Sequence, residues 1–103
     1  MSVREEVNEE WKTAVALSMR IWSSAITRPN QTEVRNELIE LCRQLHADYV
    51  ARKYNPPFDS RYGRLMHGFI VDLFLANIQC IEAMIKNDAL DLQSDRDSSP
   101  LRQ

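Results

Sequence analysis

Two cysteines and two histidines are the residues most able to do chemistry. Cys42 and His46 stand one helical turn apart, a usable half of a zinc site, and His67 and Cys80 would have to complete it. Tetrahedral zinc needs all four donors within roughly 2.3 Å of the ion. On one continuous helix positions 67 and 80 lie about 20 Å apart, at 1.5 Å per residue. The set cannot close within one chain. The sequence therefore predicts no metal centre, and both cysteines read as small, protected core residues.

The carboxylates come next. Glu33, Glu37 and Glu40 include one E-x-x-E step, from Glu37 to Glu40. All-helical nucleotide pyrophosphatases match such a step with an E-x-x-D on a second helix to hold magnesium. Here Glu82 is followed three residues later by Ile85. Asp72 alone does not replace the missing pair, because magnesium hydrolysis wants several carboxylates around the substrate phosphates. No activated nucleophile and no glycine-rich phosphate loop appears. The expectation is a protein that is not an enzyme and needs no cofactor.

One stretch suggests recognition instead. Residues 49–64, YVARKYNPPFDSRYGR, carry Arg52, Lys53, Arg61 and Arg64 against Asp59, interleaved with Tyr49, Tyr54, Phe58 and Tyr62. Arginine beside aromatic rings suits a protein interface or stacking on nucleic acid. Arg52, Lys53, Tyr54, Phe58, Arg61, Tyr62 and Arg64 are the candidate partner-binding residues. The bland reading is that Phe58 and Tyr62 fasten the loop to the end of a bundle while the cations stay solvated.

Few elements are available to position these groups. With two glycines and four prolines in 103 residues, the chain has few turns, and no run alternates like a strand. Ser2 and Glu5 form a capping box. Behind them Val3, Val7, Trp11, Ala14, Val15, Ser18, Ile21, Trp22, Ala25 and Ile26 fall within an arc of roughly 120°, an ordinary core-facing stripe. Pro29 ends this first helix. A second capping-box-like start at Asn30–Glu33 opens a helix with Val34, Leu38, Leu41, Cys42, Leu45 and Tyr49 on one face. The short connection predicts an antiparallel hairpin. Asn55, Pro56 and Pro57 end the second helix, and Asp59 or Ser60 caps the third.

The third helix dominates. At 100° per residue its apolar arc covers more than half the circumference, and Asp72, Gln79, Glu82 and Lys86 mark a narrow polar strip. Such a helix must be covered on more than one side. The sequence therefore predicts an all-α, antiparallel three-helix bundle with helices at about 3–28, 31–53 and 60–87, dimerising through helix three. The expected interface is Phe69, Ile70, Leu73, Phe74, Asn77, Ile78 and Ile81. Asn77 lies inside the apolar arc, where pairing with a polar group of a neighbouring helix would fix register; a bond to a backbone carbonyl or buried water within one protomer is the alternative. Residues 88–103, polar and acidic, are expected to form a disordered tail.

Thr13–Val15 and Val34–Leu38, with Leu41 and Leu45, look similar to the helical hairpin of the dimeric RNA-silencing suppressors of insect nodaviruses. That resemblance implies a homodimeric four-helix bundle lying along double-stranded RNA, with Arg35 as one contact; apart from the resemblance, Arg43 and Arg52 join it as candidates for nucleic-acid binding. Two features depart from the family: Pro56 and Pro57 interrupt the chain after the second helix, and the third helix is long and apolar. A duplex-binding face also needs a basic stripe, whereas Lys12, Arg20 and Arg28 rotate by about 80° at each step, and Arg35, Arg43 and Arg52 do not align either.

A formal charge of −2 argues against a general polyanion binder. The most apolar run, Phe69–Ile78, contains Asp72 and is shorter than a membrane crossing, so no membrane partner is expected. The glutamate-rich start is no secretory leader, and two free thiols fit a cytoplasmic, reducing compartment. Taken together, the expectation is a small homodimeric interaction protein, an adaptor, chaperone-like or regulatory module, with RNA binding as the alternative.

Overall fold

A computed structural model describes residues 2–28 and 31–97, with side chains as far as Leu90. It holds three helices packed against one another, α1 (Val3–Ile26), α2 (Thr32–Ala51) and α3 (Arg61–Asp97), and no strand among the described residues. The first cap is as the sequence predicts: Ser2 Oγ accepts from the Glu5 N–H at 3.2 Å, with Glu5 and Glu6 in the positive first turn. Thr27 closes α1 by donating from Oγ1 to the Ser23 carbonyl at 2.8 Å. The second start differs. Gln31 is the N-cap of α2 and makes no side-chain capping bond, and Asn30 lies outside the described residues.

α3 is the spine. α1 and α2 each pack along it and touch one another at few points. The core joins Ala14, Ile21 and Ala25 of α1, Ile39, Cys42 and Tyr49 of α2, and Ile70, Phe74, Ile78 and Ile81 of α3. Near the α2–α3 turn the rings interlock. Tyr49 stacks on Phe74 at 5.6 Å between centroids, while Phe58 meets Tyr49 and His67 edge-on at 6.3 and 5.2 Å. Ser60 Oγ accepts from the Gly63 N–H at 2.9 Å and starts α3. A side chain at Gly63 would stand 2.3 Å from the Pro57 carbonyl oxygen, so glycine is what lets the turn press onto the first turn of α3.

Three expectations need correction here. The buried line of α2 is Arg35, Ile39, Cys42 and Tyr49. Of the predicted face Val34, Leu38, Leu41, Cys42, Leu45 and Tyr49, Cys42 and Tyr49 are buried, Leu38 and Leu45 pack partly buried against the core, and Leu41 is exposed, so the face is turned toward Arg35 and Ile39. α3 does not stop near Asn87 but continues to Asp97. No proline or glycine intervenes before Pro100, and Asp88 closes an ion pair onto Arg35, which holds the helix past the expected end. The rest of the predicted tail, 98–103, lies outside the described residues. Cys80 is exposed, while Cys42 is fully buried.

The stretch Arg61–Leu90 is also long and apolar enough, by length and composition, to cross a membrane. Only 28% of its most apolar window is buried within the protomer. Much of the spine's apolar surface therefore faces outward.

Candidate functional site

The basic–aromatic segment divides into an inner and an outer set. Arg52 grips Glu10 with two bonds, Nη1 to Oε2 at 3.2 Å and Nη2 to Oε1 at 2.9 Å. Its guanidinium also lies over the Tyr49 and Phe58 rings, at 5.3 and 5.0 Å from their centroids. The bond to Glu10 holds its pKa above the ordinary value. Burial, and then the Glu10 charge, pushes the Tyr49 hydroxyl up in the same way. Phe58 is fully buried. Tyr62 donates from its hydroxyl to Asn8 Oδ1 at 2.6 Å, under the Arg4 guanidinium at 4.4 Å. Arg52, Phe58 and Tyr62, expected to meet a partner, are used to fasten α1 and the turn to the bundle.

Lys53, Tyr54, Arg61 and Arg64 remain outside. Lys53 Nζ sits 5.3 Å from the Tyr54 ring, and Arg64 donates to the Asp59 carbonyl at 2.7 Å. Behind them a shallow groove of about 300 Å³ runs between α2 and α3, past Val50, His67, Gly68 and Val71. His67 is buried and donates from Nε2 to the Tyr49 carbonyl, which ties the groove floor to the end of α2.

The expected dimer residues separate in the same manner. Ile70, Phe74, Ile78 and Ile81 are buried inside the protomer, so they cannot form a surface seam. Asn77 is buried too and donates within the protomer to the Ser18 hydroxyl of α1 at 2.8 Å, with the Ser18 carbonyl at 3.4 Å: the neighbouring helix it pairs with is its own protomer's. Of the seven, Phe69 is exposed and Leu73 half-buried. The true outer stripe is Phe69, Leu73, Ala76, Cys80, Ala83, Asn87 and Leu90, alternating steps of four and three, the spacing of a helix–helix seam. Met19, Trp22 and Ile26 of α1 stand exposed along its flank, Met19 at 65%.

The three nucleic-acid candidates do not form one face. Arg35 is buried, donating to the Ala25 carbonyl from Nε at 3.2 Å and from Nη2 at 3.0 Å while pairing with Asp88. Arg52 is bound to Glu10. Arg43 is exposed, beside Glu40 and Glu82 at the rim of a depression of about 460 Å³. Among the described residues no group of three or more His, Cys, Asp or Glu could hold a metal ion. Burial pushes the Cys42 thiol up, which suits packing and not reactivity.

Sequence reasoning missed the pairing of Glu10 with Arg52, the bond from Asn77 to Ser18 and the internal role of Arg35. For Arg35 a signal existed: positions 35, 39, 42, 46 and 49 follow the same four–three spacing, hidden by the charge at its head. No described protein family, curated protein or solved structure matches this chain.

Proposed function

We propose that this protein is a non-enzymatic interaction module, an adaptor, chaperone-like or regulatory unit in a reducing, cytoplasmic setting, working as a homodimer of antiparallel three-helix protomers. The antiparallel order is supported by paired contacts. Arg52 reaches Glu10 while Arg35 reaches Ala25, and Tyr49 meets Phe74 while Arg35 meets Asp88. The observation that carries association is the outward apolar face of α3, which a solvated monomer would leave wet. An exposed free thiol at Cys80 suits a compartment that keeps thiols reduced. The outer cations Lys53, Arg61 and Arg64, with Tyr54, are the surface offered to a protein partner.

Sedimentation of the intact chain at micromolar concentration tests the dimer, and affinity capture with wild type and Arg61→Ala/Arg64→Ala tests the partner surface. The reading expects a dimer, and loss of captured protein in the variant at nearly unchanged thermal stability, since exposed substitutions shift stability by under about 0.5 kcal/mol. A monomer at all concentrations would overturn the first half. A steep salt-dependent shift of duplex RNA, lost with Arg43→Ala, would replace the second half with nucleic-acid binding.

A further inference from the structure

We infer that the outer stripe of α3 is a self-complementary seam on which a second copy of α3 lies antiparallel, with the two-fold axis near Ile78. The inference rests on the homodimer reading and specifies its interface.

Three observations lead there. The first is charge. α3 begins with Arg61 and Arg64 and, beyond Asp88, which Arg35 of the same protomer holds, ends in a stretch holding Asp91, Asp95 and Asp97 against Lys86 and Arg96. A parallel pair would set like charges side by side at both ends; an antiparallel pair sets basic beginning against acidic end and opposes the helix dipoles.

The second is size along the stripe. Its centre is small, with Ala76, Cys80 and Ala83, and its larger residues Phe69, Leu73 and Leu90 lie further out. With the axis near Ile78, Ala76 faces Cys80 of the second copy, Leu73 faces Ala83 and Phe69 faces Asn87. Small residues at the crossing let helix axes approach to about 8 Å.

The third is area. From Leu65 to Leu90 the face is about 38 Å long at 1.5 Å per residue, and the bundle is 19 Å across. The bond from Asn77 to Ser18 brings Met19 level with the proposed axis, so α1 of each copy joins the contact through Met19, Trp22 and Ile26. Such a face buries on the order of 1,400 Å² in total, within the range of stable specific interfaces.

Disulfide trapping on the intact chain tests the register. Cys80 and its symmetry mate would be offset by four residues, about 6 Å along the axis. With axes about 8 Å apart and Cα atoms about 2.3 Å from each axis, their Cα separation is about 7 Å, at the limit a disulfide allows. Position 76 and Cys80 of the second copy instead face each other at about 4 Å. Under mild oxidation the wild type should therefore sediment as a dimer yet crosslink only slowly. Ala76→Cys should give covalent dimer within minutes, and Ala76→Cys/Cys80→Ser should not. Should Ala76→Cys disturb folding, Leu73→Cys/Ala83→Cys in a Cys80→Ser background reads the same register one step outward. Crosslinking of the wild type through Cys80 as fast as that of Ala76→Cys would overturn the antiparallel seam in favour of a parallel one. A dimer in which neither cysteine set crosslinks would overturn the seam and leave the homodimer standing. A monomer removes both, and a monomer that floats with liposomes gives the face to a bilayer.

Discussion

The Asn77 side-chain amide donates to Ser18 Oγ at 2.8 Å, joining the middle of α3 to the middle of α1. Both residues are buried, so the bond satisfies two polar groups that would otherwise be costly inside an apolar contact. Asn77→Ala should destabilise the fold by about 1–3 kcal/mol, the penalty for leaving a buried hydroxyl without its partner. Adding Ser18→Ala should cost less than the sum of the single changes, a coupling readable in a double-mutant cycle by urea unfolding. Additive costs would separate the two residues.

Arg35 holds the end of α1 and the far part of α3 together from within α2. Asp88→Asn leaves its guanidinium bonded to Ala25 but without the paired charge, and should cost about 3 kcal/mol. Arg35→Met/Asp88→Leu should be milder than that single change, because an apolar pair carries no desolvation cost. Urea denaturation of the two variants checks this, and a worse double variant would contradict it.

The two glycines predict opposite outcomes. Gly68 is exposed and a Cβ there meets nothing within 4 Å, so Gly68→Ala should stabilise α3 by about 0.5–1 kcal/mol through helix propensity. Gly63→Ala would press on the Pro57 carbonyl and on Phe58 Cα, the latter at 2.7 Å, and should lower the melting temperature. Melting curves of both variants decide the matter, and equal effects would count against the close turn packing.

The thiols should differ in reactivity. Cys80 is exposed and should react with a thiol reagent in the native state, at a rate that falls on dimerisation if the seam covers it. Cys42 is buried and should react only on unfolding. Burial raises the Cys42 pKa above its ordinary 9.0. As pH rises past that value the unfolded chain loses this proton first, so it holds fewer protons than the native state and stability falls. Wild type should lose stability between pH 9 and the raised native value, and Cys42→Ala should lose less over that window.

How much of this was legible depended on periodicity. The apolar arc of 61–87 announced α3 as the spine, and Ser2 with Glu5 announced the first cap. Cys42 and Tyr49 of the buried α2 face were legible, but Arg35 and Ile39 were not, because hydropathy alone assigns the charged residue that heads the line outward. The interface residues of α3 were misassigned for a related reason. An arc wider than half a helix does not say which part its own bundle consumes, and Ile70, Phe74, Ile78 and Ile81 proved to be that part. Cys80, one step round from the buried line, carried no sequence signal of its exposure. In the loop, the pairing of Arg52 with Glu10 joins residues far apart in sequence and was invisible to any local pattern.

Because α1 and α2 meet chiefly through α3 and scarcely through each other, the first sixty residues have little of their own to fold against. An emerging chain that has reached Ser60 holds two amphipathic helices of 24 and 20 residues without the surface both require. In proteins most of a helix's stability comes from packing its amphipathic face, not from propensity, and here the surface that both faces pack on is missing. Folding on the ribosome must then wait until the spine has left the exit tunnel, and a peptide ending at Ser60 should show weak, non-cooperative helicity by circular dichroism. Timing of synthesis, as well as packing, is written into the order of the helices.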